Sequence, residues 1–105
     1  MPLTYTDRDG ADIDAETWRQ FRAEDTYRTV DRDYVTVGDG RALVTTQWHG
    51  LTVHTNSGDL AWKFITLVCA PGDADGWTKN WDTLADAQFG HREVLTAIRE
   101  GRCPA

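Results

Sequence analysis

The stretch "TYRTVDRDYVTVGDGRALVTTQW", residues 26–48, decides the fold. Its two halves, 26–37 and 41–48, are rich in β-branched and aromatic residues, and Asp39-Gly40 between them is a two-residue hairpin turn sequence. With the turn there, Val37 faces Ala42 and Val35 faces Val44. One side of the sheet then carries Val35, Val37, Val44, Thr46 and Trp48.

Downstream, "LAWKFITLVCA" at 60–70 reads as a third strand. Its even positions Leu60, Trp62, Phe64, Thr66 and Val68 suit the same face. Its odd positions begin polar at Lys63 and turn apolar at Ile65, Leu67 and Cys69, which predicts cover on both faces towards the strand end. "PGDADG" makes a turn and "WTKNW" at 77–81 a short last strand.

Helices bracket these strands. Asp14 is a good N-cap for a helix over 15–24, with Glu16 in the first turn and Ile13 placed to staple onto Trp18. A second helix opens at Thr83, with Asp86 three residues on, and its apolar stripe runs Leu84, Ala87, His91, Val94, Leu95 and Ile98. Gly101 and Pro104 supply a stop. Gly90 in mid-helix costs about 1 kcal/mol relative to Ala, so close packing or a ligand is expected there. The order of one helix, several strands and one helix predicts an α+β fold: an antiparallel meander of about four strands, with the last helix packed on the sheet.

Residues 1–105 carry no Pro/Gly/Ser-rich linker and read as a single domain. No run approaches the roughly 20 apolar residues needed to span a bilayer, and "MPLTYTDRDG" lacks the basic and apolar regions of a secretory signal. The expected setting is cytoplasmic. There the two cysteines should be free thiols, Cys69 as a buried small hydrophobe and Cys103 as tail.

Net charge is −6, of which residues 1–40 carry −5. Without a cluster of Lys and Arg, direct nucleic-acid binding is disfavoured. An acidic surface that docks on a basic partner is compatible with the charge. The edge strand 26–37 could pair in a homodimer, although Arg28, Asp31, Arg32 and Asp33 equally protect such an edge from pairing.

Several short motifs invite chemistry. In "QWHGLTVHTNSGDLAWKF", residues 47–64, His49 and His54 are separated by an odd number of positions, which puts them on opposite faces of a continuous strand. Gly50 and "TNSG" favour an exposed loop over 49–59. "DRDGADIDAE" at 7–16 resembles a calcium loop with Gly10 at the sixth position, but Tyr5 stands where the first carboxylate belongs, and a polar turn before a capped helix is the simpler reading. Ser57 lacks an elbow motif, and Cys69 lacks a neighbour that would activate it.

His91, on the apolar stripe, is either a core histidine bonded locally or the centre of a pocket with Trp48, Trp62 and Thr66. His54 completes the candidate binding set. The sequence implies no cofactor and no metal ligand set.

The motifs "DRDG…W", "VTTQWHGL", "FITLV", W-D-T and G-H follow an order that resembles small uncharacterised proteins of actinobacteria and their phages. The matching positions are Asp9, Gly10, Trp18, Thr46, Trp48, Gly50, Leu51, Phe64, Thr66, Val68, Trp81, Thr83, Ala87, Gly90 and His91. Where the group tends to carry the acid of F-E-T this chain has Ile65, and His54 matches a histidine of the group only with one residue inserted. If that acid and histidine act as a pair, this chain lacks half of it. The resemblance implies fold and origin and brings no activity.

Two functions from different classes are therefore expected. The first is a small non-enzymatic interaction protein, of phage or prophage origin, that occupies a host protein through its tryptophan-rich or acidic surface. The second is a small-molecule-binding protein or enzyme with a pocket centred on His91. Lack of a nucleophile or paired-carboxylate motif ranks binding above catalysis.

Overall fold

The computed structural model describes residues 2–72 and 74–104. It is an α+β fold built on one antiparallel sheet. In chain order the elements are β1 (Leu3–Thr6), β2 (Asp12–Ile13), α1 (Ala15–Ala23), α2 (Asp25–Arg28), β3 (Thr29–Val37), β4 (Gly40–Thr55), β5 (Gly58–Cys69), β6 (Thr78–Trp81) and α3 (Leu84–Arg99). The sheet has six strands in the order β2-β1-β4-β5-β6, with β3 also pairing β4. Because β3 pairs β4 as far as Gln47 and β1 pairs it from Leu51 onward, the two share one edge of the long β4. Among the described residues no helix is long and apolar enough to cross a membrane.

The β3–β4 hairpin forms with a different turn from the one expected. Val37 pairs Gly40 and Val35 pairs Ala42, so the loop is Gly38-Asp39, with Gly38 at φ +57, where a type II′ turn wants glycine. The register is displaced by two residues along the partner strand. A displacement of two preserves parity, so Val35, Val44, Thr46 and Trp48 still face inward and are all buried.

Two other expectations are corrected. Residues 49–59 are not a loop: β4 runs to Thr55 and β5 starts at Gly58, leaving Asn56-Ser57 as the turn. The glycine that suggested a loop makes a bulge instead, since the register shifts between Trp48 and Leu51 and Gly50 sits at φ +62. The extra residue also flips parity, so His49 and His54 fall on the same face of the sheet. Residues 26–28, expected in the strand, belong to α2.

Cover on both faces of β5 is the third correction. Phe64, Thr66 and Val68 are buried, whereas Leu67 and Cys69 are exposed and Ile65 is half-buried. The helices pack on the even-numbered face, which leaves Cys69 on an open one. Past the bulge even that face thins out: Leu60 is 53% exposed and Trp62 half-buried.

Two apolar clusters fill the covered side. One joins Val35, Ala42, Val44 and Val68 to Val94, Leu95 and Ile98 of α3. The other sets Trp48, Phe64 and Ala87 against Ile13, Trp18, Phe21, Tyr27 and Trp81. The strands β1 and β2 were not foreseen; they bring Thr6 to Trp48, whose indole N–H donates to the Thr6 carbonyl at 3.0 Å. In the gap between β1 and β3, Trp18 Nε1 donates to the His49 carbonyl at 2.7 Å, so α1 completes the hydrogen bonding that no strand reaches.

Both helix starts follow the sequence. Asp14 accepts from the Thr17 N–H, and these bonds hold its carboxyl below the ordinary carboxylate value. Thr83 accepts from the Asp86 N–H. At the other end of α3, Gly101 at φ +74 turns the chain, with Arg102 N–H returning to the Ala97 carbonyl.

Candidate functional site

Between the two apolar clusters lies a polar seam. Along β4 the inward residues run Val44, Thr46, Trp48; along β5 Phe64, Thr66, Val68; along α3 Ala87, His91, Leu95. The middle member of each series is polar, and these three meet. His91 Nδ1 is 2.7 Å from Thr46 Oγ1, and Thr46 Oγ1 is 2.6 Å from Thr66 Oγ1. At one end Trp81 Nε1 donates to Thr66 Oγ1 at 2.9 Å; at the other His91 Nε2 lies 2.8 Å from Asp33 Oδ2. A single line of hydrogen bonds thus crosses the sheet beneath α3, from β3 to β6. Its three central residues have no accessible surface.

The protons in this line can be assigned by counting. Four hydrogen bonds join five groups, and a neutral imidazole gives the line four protons, one each from Trp81, Thr66, Thr46 and His91. Trp81 can only donate and an ionised Asp33 can only accept. Every bond holds one proton only if all point towards Asp33. A neutral His91 would then carry its proton on Nε2 and accept from Thr46 at Nδ1, whereas a protonated one would donate from both nitrogens with Thr46 donating to Thr66.

At the Asp33 end the line opens to solvent. Asp31 Oδ2 lies 3.8 Å from His91 Nε2, and ligand atoms of Asp31, Asp33 and His91 all fall within 4.8 Å of one another. The two carboxylates come from alternate positions of β3, opposite Thr46 and Val44, so they point inward from an edge strand. Their side chains are 47% and 40% exposed while His91 is 0% exposed. Water therefore carries much of the cost of holding two acids together. This cluster, lying between the C-terminal helix and the sheet, is consistent with a ligand- or metal-binding pocket.

Asp33, His91 and Thr46 repeat the acid–imidazole–hydroxyl order of a hydrolytic triad. No substrate can reach it, because both Thr46 and His91 are fully enclosed.

Of the residues expected from sequence to form the binding set, Thr66 and His91 are in the line. Trp48 lies beside it in the neighbouring cluster. Trp62 pairs Leu51 beyond the bulge, and His54 is on the other face, with Nδ1 2.9 Å from Asp59 Oδ1 and Nε2 2.6 Å from Thr4 Oγ1. Those two stand apart from His91. That second acid–imidazole–hydroxyl row lies on the surface, with Asp59 61% and His54 37% exposed.

Asp31, Asp33, Thr46 and Trp81 were not singled out as one site. A signal for the two acids was present: the period-two reading that turns Val35 and Val37 inward gives Asp33 and Asp31 the same parity. The calcium pattern dissolves into a turn, in which Asp7 Oδ1 accepts the N–H groups of Asp9 and Ala11, both at 2.9 Å.

Gly90 answers to packing. A β-carbon there would overlap the six-membered ring of Trp81, so glycine lets α3 close over the indole that ends the line. Trp81 also borders a groove of about 290 Å³ with Trp77, Lys79, Phe89 and Arg102.

No protein-family model, curated protein or solved structure matches this chain.

Proposed function

We propose that this is a ligand-binding protein whose site is the cluster of Asp31, Asp33 and His91, and that its ligand is a divalent cation. The observation that carries the reading is the convergence of three ligand atoms within 4.8 Å from two different elements, one of them a fully buried imidazole. Two ligands about 2.1 Å from one ion are at most about 4.2 Å apart. That limit is collinear; tetrahedral ligands sit about 3.4 Å apart, so separations of up to 4.8 Å must close by about an ångström or more, while Asp33, now 2.8 Å from Nε2, must draw back. Burial fixes His91, while the two exposed carboxylates are free to adjust.

Isothermal titration of the protein with Zn²⁺ and Mn²⁺ tests this. One-to-one binding, abolished in Asp33→Asn and weakened at least tenfold in Asp31→Asn, is the expected result. Unchanged binding in both variants would refute it.

A second reading, a protein that occupies a host protein, draws support from the open face of the sheet. There Tyr34 is 58% and Leu67 40% exposed, beside a hollow of about 550 Å³ that Leu43 and Ile65 also line. A cytoplasmic setting and the resemblance to proteins of actinobacteria and their phages belong to this reading. Affinity capture with wild type and Leu67→Glu tests it: a stoichiometric partner lost with Leu67→Glu supports the face as its interface.

A further inference from the structure

We infer that the open face of the sheet docks an acidic amphipathic helix of another protein, which rests on the host-protein reading above and deepens it. Leu43 of β4 and Ile65, Leu67 and Cys69 of β5 occupy outward positions, away from α3, and floor the hollow of about 550 Å³. The opposite positions of the same strands are buried under α3. Strands with apolar residues on both faces belong between two layers, and here one layer is present.

Charge selects the occupant. The chain has 17 Asp and Glu against 11 Lys and Arg. Yet between the β3–β4 turn and the bulge, the outward positions of β3, β4, β5 and β6 carry Arg32 and Arg41 and no acid. Both arginines flank Tyr34, the exposed ring on the rim of the hollow. Arg32 precedes it by two residues on β3, and the Arg41 guanidinium lies 4.6 Å over its centroid. Asp25 approaches Arg32 only to 3.9 Å, and Arg41 has no ion pair among the described residues. Two weakly neutralised cations beside an apolar floor match carboxylates brought by a partner. A second copy of the chain would instead bring two more arginines and no acid. Nucleic acid would lay phosphates over the apolar floor, where two arginines offset too little charge.

The dimensions suit a helix. Arg32, Thr45, Leu67 and Thr78 pair in turn across four strands. At about 4.8 Å between strands that row spans roughly 14 Å, slightly more than a helix diameter of about 10–12 Å. Arg32 pairs Thr45, four positions from Arg41, so the two backbones are about 13 Å apart along the strands. Two helical turns rise about 11 Å. A helix laid along the strands therefore seats its apolar stripe on Leu43, Ile65 and Leu67, while acids about two turns apart on its β3 flank reach both arginines.

The test is selection from a displayed library of helical peptides on the full wild-type chain. Purified binders are then measured against wild type, Leu67→Glu, Arg32→Glu with Arg41→Glu, and Phe89→Glu, each shown to be folded by circular dichroism. We expect binders rich in Asp or Glu on one flank and leucine-like residues on the adjoining stripe. Their Kd should rise at least tenfold in Leu67→Glu and in the double arginine variant, and stay unchanged in Phe89→Glu, which is exposed on α3 across the sheet. Binders that need Leu67 but are neutral or basic, or are indifferent to the arginine reversals, overturn the acidic helix and leave the host-protein reading in place. Binders indifferent to Leu67→Glu, or no binders, overturn both. A wild type that sediments as a dimer, with Leu67→Glu a monomer, assigns the face to a second copy and also overturns both.

Discussion

Gly90 of α3 rides on the indole of Trp81 with no room for a β-carbon between them. Alanine is favoured over glycine in a helix interior by about 1 kcal/mol, so helix propensity alone would make Gly90→Ala stabilising. Overpacking against a rigid ring costs about 1–3 kcal/mol and outweighs that gain. Gly90→Ala should lower stability in urea unfolding and shift the fluorescence of Trp81. A more stable variant would mean that α3 does not close on this ring.

Thr45 and Thr46 are sequence neighbours on opposite faces of β4. Thr46 is fully buried in the hydrogen-bonded line, while Thr45 borders the open face. Thr46→Val keeps the shape but strips the partner from His91 Nδ1, at a cost of about 1–3 kcal/mol. Thr45→Val should be close to neutral, as valine is at least as good a strand former. Equal effects in denaturant titrations would contradict the line as a stabilising element.

His49 gives the fold a pH dependence. Burial, then the charges of Arg22 and Arg28, push its pKa below the ordinary 6.5. The unfolded chain therefore takes up a proton near 6.5 that the folded chain refuses until lower pH. Between these points the unfolded state binds more protons, so the stabilisation present at neutral pH is lost as pH falls below 6.5. Melting temperatures between about pH 7 and pH 5 should fall more steeply in wild type than in His49→Gln. Parallel slopes would remove His49 as the cause.

Both cysteines are free and exposed. Each should react with a thiol reagent in the native protein without denaturant, and Cys69→Ser should remove one of the two reactive thiols with little change in stability. A single native-state thiol, with the second appearing only on unfolding, would mean that Cys69 is covered after all.

Much of this was legible in the sequence. The capped helices at Asp14 and Thr83, the existence of the β3–β4 hairpin and the inward set Val35, Val44, Thr46 and Trp48 follow from local chemistry and period-two parity, although the turn expected at Asp39-Gly40 is Gly38-Asp39. Parity also made the fold robust to a wrong turn assignment, because a two-residue slip returns the same faces. The bulge at Gly50 was illegible, since a glycine with "TNSG" a few residues further on signals a loop as well as a bulge, and only pairing with β5 decides between them. The site was half legible. His91 stood out as a polar residue on an apolar stripe, but its partners come from β3, β4, β5 and β6, and no spacing rule links Asp33 or Trp81 to it. Cys69 was misplaced because an apolar alternate set at the end of a strand signals cover whether or not the chain supplies a second layer.

The most direct test of the central claim is a crystal of the protein grown with Zn²⁺, measured across the zinc absorption edge. The account predicts an anomalous peak about 2.0–2.1 Å from His91 Nε2, with Asp31 and Asp33 oxygens as further ligands. A zinc peak bound instead at His54 or the cysteines, with His91 still bonded to Asp33, would contradict it.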